Sequence, residues 1–243
     1  MLTPGNRKLG RRGRIFGFGL PSHTTCPGRT ETCASRCYSH RIERFRPSVR
    51  RRYEANLVLS KRRDFVTRMT QTIRRLNASV VRIHVGGDFY SRRYAHKWLA
   101  IMQCLPKTRF YFYSRSWQIP AIRDVLVTMS QLSNVRAWYS CDRHTQLPTV
   151  IPPNVRIAWL MTDHDDLPPV ADLVFRVHRL RRIARKKVPC SGTQRAVLVC
   201  PVENGITESS TDCEHCGVCW RPLHADESCS RIPLTLTQKG ESR

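Results

Sequence analysis

Three cysteines with the spacing of metal ligands lie near the start of the sequence. Cys26, Cys33 and Cys37, the early cluster, fall within twelve residues and follow a predicted strand. Three thiolates can bind zinc together with a histidine, and His23 and His40 are the candidates for that fourth ligand. Three thiolates can also hold an iron–sulfur cubane and leave one iron open for a small molecule. The spacing alone leaves both metals open.

Four arginines lie within the early cluster or just after it in the sequence. A positive charge favours the thiolate form of cysteine, so we expect these arginines to lower the pKa of the thiols and to prepare them for metal binding. The residues concerned are Arg29, Arg36, Arg41 and Arg44.

Four further cysteines, the late cluster, lie towards the other end of the chain. Cys213, Cys216 and Cys219 are separated by two residues each, and Cys200 precedes a proline upstream. Four thiolates close a tetrahedral zinc site, and the same spacing is typical of a ferredoxin-type cubane. The sequence therefore predicts a second metal site, which holds either an iron–sulfur cluster or zinc. The scattered cysteines are expected to pack as small apolar side chains.

Polar residues follow several predicted strands, where ligand-binding residues of α/β proteins collect. Gly86, Gly87 and Asp88 follow the strand at residues 80–85. Glycines allow another group to approach the backbone closely, and a carboxylate can bind an amine. We expect the polar residues after the next two strands to contact a ribose or another part of a substrate. These residues are Ser114, Arg115, Ser140 and Asp142.

The elements that position these residues alternate between short strands and helical stretches. Branched and aromatic residues enrich the strands, as expected of strands buried in a sheet. Alternation of this kind predicts an α/β fold with parallel strands joined by crossover helices. The predicted strands are residues 14–19, 80–85, 109–113, 135–139, 155–161 and 173–177. The predicted helices are residues 47–76, as one long or two shorter helices, 92–103 and 120–132.

Four motifs together resemble a known family of phage and plasmid proteins. They are Cys-Pro-Gly at 26–28 with the Cys-Tyr at 37–38, Gly-Asp-Phe-Tyr-Ser at 87–91, Tyr-Ser-Arg-Ser-Trp at 113–117, and Cys-x2-Cys-x2-Cys-Trp at 213–220. This combination resembles the gene product 88 family. The three-cysteine loop after the first strand and the Gly-Gly-acid turn after the second are also similar to those of radical S-adenosylmethionine enzymes.

The radical-enzyme resemblance implies a fold that is more specific than the α/β class. We expect a partial (β/α)6 barrel over residues 1–188. The late cluster would lie in a small cysteine-rich metal module at residues 189–230, followed by a tail at residues 231–243.

The same resemblance implies the cofactors and their ligands. The early cluster would ligate a four-iron–four-sulfur (4Fe-4S) cluster, whose open iron would chelate the methionyl group of S-adenosylmethionine. The methionyl amine would contact the turn formed by Gly86, Gly87 and Asp88. The early cysteines are separated by six and three residues, wider than the three and two of most radical enzymes, and Asp88 is shorter than the usual glutamate.

Basic residues greatly outnumber acidic ones. The 243 residues include 42 Lys and Arg against 18 Asp and Glu, a formal net charge of +24, while 40% of the residues are hydrophobic. That hydrophobic content excludes a disordered basic tail, and the charge predicts a polyanionic partner, which we expect to be nucleic acid. The predicted phosphate contacts are Arg179, Arg181, Arg182, Arg185, Lys186 and Lys187. The aromatic residues expected to stack on unpaired bases are Tyr53, Tyr90, Tyr94 and Trp117.

Three functions are consistent with these features. The leading hypothesis is an atypical radical S-adenosylmethionine-like enzyme of a phage or mobile element, which acts on a nucleic acid or a nucleotide-containing substrate. The first alternative is a non-catalytic nucleic-acid-binding protein whose zinc or iron–sulfur sites only stabilise the fold. The second is a nuclease that holds a divalent ion. The carboxylates of that nuclease would be Asp88, Asp142, Asp163 and Asp165. Because no apolar run could span a bilayer and no secretory signal is recognisable, we expect a cytoplasmic protein without membrane contact.

Overall fold

Runs of branched and aromatic residues form the strands of one nine-stranded sheet. The computed structural model describes residues 1–5, 8–10, 13–164, 166–204 and 212–221. The strands are β1 (Thr3–Pro4), β2 (Ile15–Phe18), β3 (Val80–Ile83), β4 (Arg109–Ser114), β5 (Val135–Cys141), β6 (Val155–Met161), β7 (Leu173–Arg176), β8 (Lys187–Pro189) and β9 (Ala196–Val199). The strands β2 to β7 match the six predicted ones, and the mixed α/β class is confirmed.

The order of the central strands in the sheet follows their order in the chain. Each strand from β2 to β7 pairs in parallel with the next, and β9 continues the parallel set beside β7. The antiparallel strands β1 and β8 form the two edges, in the order β1-β2-β3-β4-β5-β6-β7-β9-β8. Within the described residues, no pairing joins β1 to β8, so this sheet is open rather than closed into a barrel.

Helices connect most of the parallel strands. In the described residues they are α1 (Glu31–Ser35), α2 (Tyr38–Phe45), α3 (Pro47–Lys61), α4 (Phe65–Arg75), α5 (Arg92–Cys104), α6 (Pro120–Ser130), α7 (Pro201–Asn204) and α8 (Cys213–Cys216). The predicted helical stretch at residues 47–76 is two helices, because the backbone is extended at Arg62. Among the described helices, none is both long and apolar enough to cross a membrane.

Alternate side chains of the central strands face two different layers. Phe110 and Phe112 of β4 belong to the large core shared with α4, α5 and α6. Because consecutive parallel strands are joined by right-handed crossovers, these helices lie together on one face of the sheet. Tyr111 points to the opposite face, where it packs in a cluster with Cys213 and Trp220. The late cluster therefore lies on the face of the sheet opposite α4, α5 and α6.

The predicted domain boundary after residue 188 falls within β8, and β9 belongs to the same sheet as β2 to β7. Residues 205–211 and 222–230 of the predicted metal module, and the predicted tail at 231–243, lie outside the described residues.

Candidate functional site

The early cluster lies in the connection that follows β2, at the carboxyl ends of the parallel strands. Cys26 lies between two turns, Cys33 lies in α1, and Cys37 caps the N-terminus of α2, where its Sγ accepts a hydrogen bond from the backbone N–H of His40 (3.4 Å). All three cysteines are half-buried. Cys33 and Cys37 are close enough to Cys26 to raise the pKa of its thiol. The three predicted ligands are therefore neighbours, but among the described residues their side chains do not converge on one metal position.

Burial, rather than the neighbouring arginines, has the largest effect on the pKa of two early thiols, Cys26 and Cys33. It raises the pKa of Cys26 to about 12, and the carboxylate of Asp88 adds to that increase. Burial also raises the pKa of Cys33, although the positive charge of Arg115 opposes it. The expectation that neighbouring arginines lower these pKa values is therefore wrong. Arg29 instead donates hydrogen bonds to the carbonyl oxygens of His23 and Cys26, at 2.8 and 3.2 Å.

A buried ion pair and a threonine, which we call the clamp, hold the helix that contains Cys33 against the strand ends. Thr30 caps α1 by accepting a hydrogen bond from the backbone N–H of Cys33 (3.0 Å), and it donates one to the carboxylate of Asp142 (2.5 Å). Asp142 in turn pairs with Arg115 at 2.9 Å, and both side chains are buried. The clamp therefore links α1 directly to the residues that follow β4 and β5.

Two further contacts support the clamp. Thr32 Oγ1 lies 2.7 Å from Nδ1 of His144, and the side-chain amide of Gln118 donates a hydrogen bond to the carbonyl oxygen of Gly28 (2.7 Å). A Cβ atom on Gly28 would lie only 2.1 Å from the carbonyl oxygen of Arg115, so the loop needs glycine there. Sequence reasoning missed these residues, although a threonine before the short helical segment is a recognisable capping signal.

The carboxylate of Asp88 binds groups at the end of β4 and is not open to a ligand. One oxygen of its buried carboxylate accepts hydrogen bonds from Phe89 N and Ser114 Oγ, both at 2.7 Å. The other accepts from Arg115 N (2.7 Å) and Ser116 N (3.1 Å). A carboxylate offers about four acceptor positions. Asp88, as the structure places it, therefore does not fit the predicted contact with a methionyl amine.

The two glycines before Asp88 are packed against the early loop. A Cβ atom on Gly86 would lie 2.0 Å from Ser39 Oγ, and one on Gly87 would lie 2.4 Å from Thr25 Oγ1. Gly87 also has a φ of +75°, which favours glycine. These close approaches are made by the protein itself, so the Gly-Gly-Asp turn joins β3 to the early loop.

The predicted substrate contacts divide into three that join this network and one that lies beside it. Ser114, Arg115 and Asp142 are buried in it. Ser140 is half-buried at the end of β5, and its carbonyl oxygen accepts a hydrogen bond from the indole N–H of Trp117 (3.4 Å).

His23 and His40, the candidates for a fourth zinc ligand, stack beside the early cluster. Their ring centroids are 4.1 Å apart, with an angle of 17° between the planes. Burial lowers the pKa of His23, and the neighbouring His40 lowers it further. Nε2 of His23 is buried and has no hydrogen-bond partner among the described residues. The described residues do not group that nitrogen with two further ligands that could hold a zinc ion.

The late cluster lines one cleft on the face of the sheet opposite the helices. Cys200, Cys213, Cys216 and Cys219 share this narrow cleft with apolar residues such as Leu173 and Val218. The segment of residues 212–221 is attached to the sheet through Cys219. The Sγ of Cys219 accepts a hydrogen bond from the Tyr113 hydroxyl (2.8 Å), and its carbonyl oxygen accepts one from the Trp138 indole N–H (3.0 Å). Burial raises the pKa of Cys219 to about 12.

The ligand sets predicted from the sequence do not form complete metal sites in the described residues. No three or more histidine, cysteine or acidic side chains there are arranged so that they could hold a metal ion. The nuclease carboxylates do not converge either, since Asp88 and Asp142 are engaged as above and Asp163 pairs with Arg179 at 2.7 Å. Asp165 lies outside the described residues. Metal binding at either cluster stays a prediction.

The basic segment that follows β7 begins at the carboxyl ends of the parallel strands, as does the connection that contains the early cluster. Arg179 is exposed but is held by Asp163, and Arg181 is half-buried and donates to the carbonyl oxygen of Arg176 (2.8 Å). The remaining predicted phosphate contacts are exposed, namely Arg182, Arg185, Lys186 and Lys187.

The aromatic residues expected to stack on bases are not available for stacking. Tyr53, Tyr94 and Trp117 are buried. Tyr90 is half-buried and stacks on Tyr94, with ring centroids 4.5 Å apart. The expectation for these four residues is wrong, because their spacing among arginines does not reveal that they face the core.

Comparison with known proteins identifies the family. The family described as "Gene product 88" matches residues 1–222, a range that contains both cysteine clusters. The chain belongs to the gene product 88 family. The Gene 88 protein of Mycobacterium phage L5 is 27% identical over 228 residues, which cover 88% of this chain and 85% of the relative. The Gene 88 protein of Mycobacterium phage D29 is 28% identical over 151 residues, 57% of this chain and 60% of the relative.

No solved structure matches this gene product 88 family member. The names of the two phage relatives state no activity.

Proposed function

We propose that this phage-family protein is an atypical radical S-adenosylmethionine-like iron–sulfur enzyme that acts on a nucleic acid or a nucleotide-containing substrate in the cytoplasm. The observation that supports the proposal is the position of Cys26, Cys33 and Cys37 in one connection at the carboxyl ends of consecutive parallel strands, where the clamp fixes the helix that carries Cys33. Ligand-binding residues of parallel α/β folds collect at this edge. A partial barrel is the matching proposal for the fold, since β2 to β7 follow one another in chain order.

The donor set of the early cluster suits a 4Fe-4S cluster with one open iron. Three thiols supply three of the four ligands, and a bound cluster of this type would supply an electron for the reductive cleavage of S-adenosylmethionine. The residues of the chain position the ligands. Thr30 fixes the start of α1, the Arg115–Asp142 pair anchors that start to the strand ends, and Asp88 fixes the backbone of Arg115. We assign Asp88 a positioning role, and no part in holding the cofactor amine.

The late cluster suits a second metal, either iron–sulfur or zinc. Its four cysteines share one cleft, and the segment is fixed to β4 and β5 by Tyr113 and Trp138. Its place on the sheet face, away from the strand ends, favours a role in stability over a role in the reaction.

The proposal is tested on the full chain purified without oxygen. We expect iron and acid-labile sulfide, an iron–sulfur absorption band, and 5′-deoxyadenosine when S-adenosylmethionine and a reductant are added. Cys33→Ser should lose about four irons per chain and all 5′-deoxyadenosine formation. The control Cys104→Ser changes an exposed cysteine at the end of α5 and should retain both.

Two results would decide against the enzyme. Zinc alone in both sites would exclude the iron–sulfur proposal. Iron and sulfide without 5′-deoxyadenosine would favour the second candidate, a nucleic-acid-binding protein with structural metal sites. That candidate is favoured by the engaged carboxylate of Asp88, and it predicts that nucleic-acid binding survives in folded Cys33→Ser protein.

A further inference from the structure

The helix α2, directly after the early cluster, exposes its apolar side to solvent and buries its polar side. Tyr38, Ile42 and Phe45 lie on one stripe of the helix, at spacings of four and three residues. Their exposed fractions are 50%, 40% and 73%. A surface helix normally turns such a stripe towards the core. Here the stripe faces solvent.

The polar side of α2 is buried instead. Ser39 and Glu43 are only 4% and 7% exposed. The carboxylate of Glu43 accepts hydrogen bonds from Ser22 Oγ (2.5 Å) and Ser39 Oγ (3.2 Å), which fixes the helix to the chain after β2. The exposed apolar stripe is thus held in place by specific polar contacts. A local arrangement that contradicts the usual pattern in this way marks a functional surface.

The exposed stripe is set among positive charges. Arg41 lies on the stripe itself, three residues after Tyr38 and four before Phe45. Arg36, Arg44 and Arg46 are also exposed around it. The one acid of α2, Glu43, is buried, so within this fully described helix no exposed negative charge opposes them.

The aromatic ring of Tyr38, the residue after Cys37, is held in a fixed orientation. The hydroxyl of Tyr38 donates a hydrogen bond to the carbonyl oxygen of Val85, just after β3, and accepts one from the guanidinium of Arg82 (3.3 Å). Half of the side chain remains exposed, beside the Cys37 ligand position. A ring that is fixed by its hydroxyl loses little conformational freedom when a planar group stacks on it.

We propose that the α2 face, formed by Tyr38, Arg41, Ile42 and Phe45, is a docking surface for single-stranded nucleic acid that leads to the early cluster. Bases stack on the two aromatic rings, and arginines contact the phosphates, which is how proteins bind single strands without sequence preference. A duplex buries the faces of its bases and offers only its phosphates. The inference rests on the proposed function only for what happens to the strand once it is bound. Binding of the strand itself does not require an iron–sulfur cluster.

The test compares labelled single-stranded DNA and RNA of mixed sequence with the matching duplex, by fluorescence anisotropy on the full chain purified without oxygen. Phe45→Ala should weaken single-strand binding by about fivefold to a hundredfold, and should leave duplex binding nearly unchanged. The control Val58→Ala removes an equally exposed apolar side chain from α3 and should bind both as the parent does. Because Phe45 is 73% exposed, its replacement should not affect folding.

The second part of the test examines the arginines with two double variants. Replacing Arg41 and Arg44 by alanine should reduce the slope of log affinity against log salt by about 1.4 for single strands, as expected for two lost phosphate contacts. Replacing the exposed Arg63 and Arg75, which lie outside α2, should change that slope much less.

Several outcomes would overturn the inference. Equal single-strand binding by Phe45→Ala and the parent would exclude stacking, as would an equal loss with the duplex. A Phe45→Ala variant that only turns a dimer into a monomer would assign the face to contacts between copies, and loss of binding to anionic vesicles alone would assign it to a membrane. Single-strand binding by Cys33→Ser that is still weakened by Phe45→Ala would support the docking surface even if the iron–sulfur proposal fails.

Discussion

Two buried carboxylates fix the geometry around the early cluster. Asp88 accepts four hydrogen bonds from groups at the ends of β3 and β4, and Asp142 joins the Arg115 guanidinium to Thr30. An acid after a strand reads as a ligand contact in the sequence, because the donors that surround it come from residues up to 112 positions away. The number of hydrogen-bond donors around each carboxylate is therefore evident only in the folded chain.

The Asp88→Asn variant should be strongly destabilised. Asparagine has a single side-chain oxygen, so its amide would face the buried N–H groups of Arg115 and Ser116. Arg115 N would then have no acceptor, and Ser116 N would keep only the hydroxyl of Ser114 (3.0 Å). We expect a loss of about 2–5 kcal/mol in the free energy of unfolding, measured by urea denaturation at neutral pH. Asp163→Asn, which changes an exposed carboxylate, should leave the midpoint almost unchanged. Equal midpoints for the two variants would contradict the positioning role.

Short capped helices position the cysteine ligands. Branched and aromatic runs predicted all six central strands, and apolar periodicity predicted α5 and α6 within one or two residues at each end. The helices α1 and α2 were not predicted, because they have only five and eight residues and depend on caps and long-range hydrogen bonds. In α2 the periodic pattern also points the wrong way, since its apolar stripe is exposed.

Thr30→Val tests whether α1 depends on its cap. Valine keeps the shape of threonine but removes both the acceptor for Cys33 N and the donor to Asp142. We expect a loss of about 1–3 kcal/mol in the free energy of unfolding, together with a lower iron content in protein purified without oxygen. Thr67→Val makes the same change at an exposed position of α4 and should alter neither quantity. Parent-like iron and stability in Thr30→Val would show that the clamp does not hold the early loop.

The whole molecule places its two cysteine clusters in different environments. The early cluster lies at the carboxyl edge of the sheet, while residues 212–221 cover the face opposite the helices. The spacing of the cysteines predicted both groups but could not predict this separation. The deciding contacts join residues 106 and 81 positions apart, from Tyr113 and Trp138 to Cys219.

Trp138→Phe should loosen the covering segment without unfolding the sheet. The change removes the hydrogen bond to the Cys219 carbonyl oxygen and keeps an aromatic ring. We expect backbone amides of residues 213–221 to exchange hydrogen about two to ten times faster, as measured by mass spectrometry. In Trp159, the indole N–H has no hydrogen-bond partner among the described residues, so Trp159→Phe should leave that exchange unchanged. Faster exchange throughout the sheet would instead indicate general destabilisation.

The covering segment, residues 212–221, is synthesised on the ribosome after the sheet face that it covers. The sheet face that contains Tyr111, Trp138 and Leu173 is complete once β7 has been made, but the segment that packs on it follows only about 40 residues later in the chain. Domains fold as the chain emerges from its N-terminus. A polypeptide that stops before Cys213 therefore presents a broad apolar sheet face to water, the kind of surface on which nascent chains aggregate.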